Sequence, residues 1–221
     1  VTQRVLCVVA HPDDEMLGVG GTLVRHADAG DYVTILILAD CESARSADVR
    51  PELKPATHNA AALLIGPGIS TDQLEFGGFR GLTLREQIRA VTERVEGVAR
   101  RVKPDVVYTH FAGDLNSDHR AACEATVVAT RPIGAHAPLR LLSFETPSST
   151  EWTTSARFSP SSFVGIDIER KLAAMACYGA ELREPPHPRN LEMLRARAVF
   201  WGQHAGLEHA EAFVLLREVA R

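Results

Sequence analysis

The stretch Arg4-Val5-Leu6-Cys7-Val8-Val9-Ala10-His11-Pro12-Asp13-Asp14-Glu15 decides how this chain folds. Arg4 to Ala10, apolar without interruption from Val5 onward, reads as a buried strand. A helical stretch follows from about Asp14 to Ala29, closed by Gly30, and Tyr32 to Ala39 is a second apolar strand. Continuous apolar strands on either side of a helix are the pattern of a parallel sheet covered on both faces, because each strand is buried twice. This is a β-α-β unit.

Further along, Leu84, Ile88, Val91, Val95, Val98 and Val102 recur at spacings of four and three, one face of a helix that Pro104 ends. Asp105 to Thr109 is a short strand delivering His110, and the polar stretch Gly113 to Ser117 precedes a helical pattern that starts at Ala121. Leu139 to Phe144 and Phe163 to Ile168 are further strand candidates, and Arg170 to Tyr178 and Leu191 to His204 read as helices. Ala210 to Val219 is ambiguous. No repeat or linker-like run divides the chain, so residues 1–221 are taken as a single α/β domain.

The hydrophobic fraction of 45% and charged fraction of 24% suit a packed domain of enzyme size. A formal charge of -4 offers no footprint for nucleic acid, which is bound mainly through Lys and Arg. The longest apolar run, Tyr32 to Ala39, is far short of the roughly 20 residues that span a bilayer, and no transmembrane segment is expected. With no signal pattern in the first residues, a cytoplasmic location is expected. Cys7, Cys41, Cys123 and Cys177 are scattered and read as reduced thiols.

His11 through Glu15 falls at the carboxyl end of the first strand, where open α/β sheets bind ligands. Across the turn containing Pro12, the His11 imidazole and the Asp14 carboxylate can converge on one ion. A plainer reading makes Asp14 a first-turn helix carboxylate, stabilised by ~0.3–1 kcal/mol, and Asp13 an N-cap. That explains either aspartate alone, but not a histidine and two aspartates crowded at a strand end. A catalytic ion needs a third ligand from another strand end, and His119 is the best candidate if the Tyr108–Asp118 segment returns to the same sheet edge.

Ala10-His11-Pro12-Asp13-Asp14-Glu15 together with Asp118-His119 resembles the LmbE-like, or PIG-L, family of zinc-dependent de-N-acetylases. Ser148-Ser149-Thr150-Glu151-Trp152, Glu181-Leu182-Arg183 and Pro186-His187-Pro188-Arg189 look like later segments of the same family. The resemblance implies a Rossmann-like fold, a mostly parallel sheet with helices on both faces. It also implies zinc held by His11, Asp14 and His119, with Asp13 as general base in the hydrolysis of an N-acetyl group from an amino sugar. Another divalent metal is compatible with this nitrogen and oxygen ligand set. The chain departs from the family at Asn116, where several members carry a histidine that stabilises the oxyanion; an asparagine amide donates a hydrogen bond but supplies no proton.

His110 and His187 are alternative catalytic helpers, each with a packing role as the competing explanation. Glu15 and Asp118 read equally as orienters of a metal-bound histidine or as first-turn helix carboxylates. Arg45, Arg50 and Arg189 are candidate contacts to a substrate hydroxyl or phosphate. Gly18-Val19-Gly20-Gly21 lacks the spacing of a dinucleotide-binding turn and reads as close helix-to-sheet packing. The expected partner is a small N-acetylated sugar or glycoside; homo-oligomerisation is left open, as is a metal-containing sugar-binding module without hydrolysis.

Overall fold

The computed structural model describes residues 1–39, 52–133 and 137–220. Its layers follow from alternation along β1 (Arg4–Val9): Val5, Cys7 and Val9 enter one apolar cluster, and Leu6 and Val8 the other. In chain order there follow α1 (Asp14–Asp28), β2 (Tyr32–Ala39), α2 (Leu53–Ile65), β3 (Leu74–Phe79), α3 (Ile88–Val102), β4 (Val106–His110) and α4 (Ser117–Ala129). The remainder is β5 (Arg140–Phe144), β6 (Ser162–Gly165), α5 (Ile168–Ala176), α6 (Leu191–Ala205) and β7 (Ala210–Glu218).

The sheet runs β3-β2-β1-β4-β5-β7-β6, with β3 to β5 parallel and β7 antiparallel to both its neighbours. Helices α1, α2, α5 and α6 contribute to the apolar layer on one face, and α3 and α4 to the layer on the other. This is the mostly parallel, doubly covered α/β fold. The chain steps outward from β1 through β2 to β3 and then returns to the other side of β1 as β4. The carboxyl ends of β1 and β4 flank that switch point.

Helix α1 lies close against its neighbours at two of its three glycines, Gly18 and Gly21. A Cβ at Gly18 would stand 2.1 Å from the Phe144 ring, and one at Gly21 would stand 2.7 Å from Ile166. Buried Lys171 and Glu211 fasten the same helix: Lys171 Nζ donates to the Leu17 carbonyl (3.1 Å) and Glu211 Oε1 (2.6 Å), while Glu211 accepts from the amides of Gly21 (2.9 Å) and Thr22 (2.7 Å). No described helix is long and apolar enough to cross a membrane.

Several boundaries differ from the sequence reading. Strand β6 stops at Gly165, and Ile168 opens α5, because the Asp167 carboxylate caps the amides of Glu169 (3.0 Å) and Arg170 (3.2 Å). Helix α4 starts at Ser117, four residues before Ala121, with Asn116 as its cap. The ambiguous segment is β7, and α2 and β3 were not anticipated.

Candidate metal centre

His11 follows β1, Asp14 is the first residue of α1, and His119 lies in the first turn of α4. Each offers one ligand atom, and these atoms lie within 4.8 Å of one another. His11 Nδ1 and His119 Nε2 are each 3.4 Å from Asp14 Oδ2. Behind each ring stands a second carboxylate: Asp118 Oδ2 accepts from His11 Nε2 at 3.0 Å, and Asp114 Oδ1 accepts from His119 Nδ1 at 3.1 Å. A proton held on that side of each imidazole leaves the opposite lone pair turned toward Asp14. Two nitrogens and a carboxylate oxygen, each imidazole backed by an acceptor, form a donor set that fits zinc or a similar divalent ion.

The orienting carboxylates are themselves anchored. Asp118 accepts from the amides of Leu82 (2.6 Å) and Leu84 (3.2 Å); Asp114 accepts from the Asn116 amide (2.8 Å), the Thr150 hydroxyl (2.5 Å) and the Ser149 hydroxyl. Burial works to raise both carboxyls, but the histidines and these donors hold them below the ordinary value. Burial likewise opposes charge on His11, yet Asp118 and Asp14 lift it to about 10, so an entering ion displaces a proton there. Burial would raise Asp14 too, but His119, His110 and His11 keep it well below the carboxylate range.

Asp13 occupies the N-cap position of α1 without acting as a cap. Its backbone is left-handed (φ 99°, ψ -26°), and its side chain makes no capping bond. The carboxylate instead accepts from Arg189 Nη1 at 2.8 Å. Burial pushes its pKa well up, Arg189 pulls against that, and Asp14 adds to the rise. Glu15 does not orient a histidine: Oε2 accepts from the Asp13 amide (3.1 Å), and Oε1 from the Tyr178 hydroxyl (2.5 Å).

His110 is fully buried and stacked on His119, with centroids 4.1 Å apart. Its Nε2 accepts from the Ala10 amide and its Nδ1 donates to the Thr146 hydroxyl, each at 3.0 Å. Burial, reinforced by His119, lowers its pKa to about 4, so the ring is neutral near pH 7. Asn116 Oδ1 caps α4 by accepting from the Asp118 amide at 2.8 Å, which leaves Nδ2 as its donor end. His187 meets the Trp152 ring edge-on at 5.8 Å and accepts from the Arg189 amide at 3.1 Å; it is not among the clustered ligands. Arg189 also donates to Ser148 Oγ (3.2 Å) and Glu181 (3.3 Å). Arg45 and Arg50 lie outside the described residues.

Asp114, Tyr178 and the Ser149–Thr150 pair were not singled out as site residues from the sequence. Asp114 alone carried a usable signal, as a carboxylate in the polar loop that delivers His119.

The family model for PIG-L, the GlcNAc-PI de-N-acetylases, matches residues 6–130, a span that contains His11, Asp13, Asp14 and His119. The uncharacterized deacetylase YaiS of Escherichia coli (strain K12) is 31% identical over 77% of this chain and 88% of its own length. The 1D-myo-inositol 2-acetamido-2-deoxy-alpha-D-glucopyranoside deacetylase of Salinispora arenicola is 28% identical over 94% of this chain and 74% of its own. The crystal structure of the conserved protein TT1542 from Thermus thermophilus aligns with a TM-score of 0.77 at 27% identity, across 100% of this chain and 97% of that one.

Proposed function

The chain belongs to the LmbE-like, or PIG-L, family, and from that premise we propose that it is a zinc-dependent hydrolase removing the N-acetyl group from a small N-acetylglucosaminyl glycoside. The observation that carries this reading is the pair of carboxylate-backed imidazoles converging on Asp14, with Asp13 beside them and outside the ligand set. A binding module has no need of that extra carboxylate; hydrolysis does. The Salinispora relative, named for a 2-acetamido-2-deoxyglucopyranoside of myo-inositol, supports the substrate class.

In this reading His11, Asp14 and His119 hold the ion. When bound, it supplies Lewis-acid polarisation of the amide carbonyl and a water whose pKa is lowered toward ~7. Asp13 takes the proton as water attacks the acyl carbon and passes it to the departing nitrogen, releasing acetate and the free amine; such a base contributes about 10²–10⁴-fold. Asn116 Nδ2 donates to the developing oxyanion, and because an amide has no proton to give, the leaving nitrogen depends on Asp13. Neutral His110 holds the Ala10 amide and stacks on His119. Arg189 accounts for the orientation of the Asp13 carboxylate, and His187, edge-on to Trp152, is proposed as a helper that meets the substrate. Arg45 and Arg50 remain proposed substrate contacts.

The test is a panel of N-acetylglucosaminyl compounds incubated with zinc-reconstituted protein and scored for free amine. Release from at least one compound, stopped by a chelator and restored by zinc, is expected. No release across the panel from fully loaded protein would turn the reading toward a sugar-binding module.

A further inference from the structure

The left-handed backbone of Asp13 is sterically costly for a residue with a Cβ, and such conformations persist only where the surroundings over-determine them. The surroundings here are unusual. Glu15, two residues on, turns its side chain back so that Oε2 accepts from the Asp13 amide at 3.1 Å. Its other oxygen accepts from the Tyr178 hydroxyl at 2.5 Å, just beyond α5. Glu15 is 0% exposed and Tyr178 1%, and Tyr178 belongs to the apolar layer on the α1 side of the sheet. A carboxylate buried this deeply is unfavourable unless both oxygens are used, and the two are used on one backbone amide and one phenol.

The consequence is geometric. Met16 and Leu17 donate to the Asp13 carbonyl at 3.0 and 2.9 Å as in any helix start, so the left-handed turn is gripped at its carbonyl by α1 and at its amide by Glu15. With both backbone ends held, the side chain leaves the usual capping direction and meets Arg189 instead. We propose that Glu15 and Tyr178 form a positioning pair, which sets the backbone of Asp13 and so aims its carboxylate for proton transfer. This rests on the reading of Asp13 as the base. Neither side chain touches substrate or ion in this proposal, and both act through Asp13.

Tyr178→Phe removes one oxygen while keeping the ring that fills the core. Its kcat is expected to fall about tenfold or more, because small misplacements of a reacting group are costly in rate, with KM and bound zinc per chain little changed and Tm lowered by the loss of the partner of Glu15 Oε1. Hydrogen exchange at the Asp13 amide is expected to quicken. Glu15→Gln, which keeps an acceptor for that amide, should retain more activity than Glu15→Leu. The same Tyr178→Phe change placed in an Asp13→Asn background should reduce the residual rate by a factor near one, since its effect runs through the lost base. An equal loss in both backgrounds, or an unchanged kcat in Tyr178→Phe alone, would overturn the positioning role. An unchanged kcat in Asp13→Asn alone would instead overturn the base assignment.

Discussion

Asp118 sits next to His119 in sequence but serves His11, and this crossing explains why single residues are the hardest part of the site to read in advance. The partners Asp118 and His11 are 107 positions apart and meet only because β1 and β4 are neighbours. Removing the carboxylate's charge tests the role: Asp118→Asn should weaken zinc binding about 10–100-fold, read by competition with a chromophoric chelator. Unchanged affinity would show that His11 needs no orienter. The grouping of His11 and Asp14 with His119 was legible in the sequence, whereas the partners taken by the surrounding side chains were not. Glu15 serves Asp13 and Tyr178, Asn116 spends its oxygen on capping α4, and Arg189, expected on substrate, reaches Asp13.

Helix α1 carries Asp13 and Asp14 at one end, and its other end is tied down by a separate network. His26 lies 2.7 Å from Asp31 Oδ2 and 2.9 Å from the Tyr108 hydroxyl, and Asp31 Oδ1 accepts from the Gln3 amide at 2.7 Å. Burial works to raise Asp31, but the Gln3 amide and His26 bring it below its ordinary value. A depressed carboxylate stabilises the fold above the unfolded pKa, ~3.9, and that contribution fades as pH falls through the folded value. Asp31→Asn should therefore cost about 1 kcal/mol at pH 7, with the difference from the parent shrinking in acid denaturation series below about pH 4. A gap that stays constant with pH would refute the charge contribution. At this scale legibility followed apolar pattern: β2 was read at its observed limits because Thr34 alone interrupts its run, while α2 puts Thr57 and two alanines between buried Leu53 and Leu64, and β3 is interrupted by Gly77 and Gly78.

Across the whole molecule, the reversal of strand order beside β1 brings together residues from two β-α units, so the half-site in the first motif is completed by the second. The first unit's fold was readable because its strands are apolar on both faces. The position of β7 was not, since an antiparallel strand inserted between β5 and β6 leaves no local mark distinguishing it from a helix or an edge. Fold and metal together do not establish chemistry, so the central claim needs ion occupancy and turnover to be separated. The direct measurement is zinc per chain and amine release on the same samples of parent, Asp13→Asn and His119→Ala. Asp13→Asn should keep its zinc and lose at least about a hundredfold in rate, and His119→Ala should lose both. Full zinc in His119→Ala, or undiminished release by Asp13→Asn, would contradict that claim.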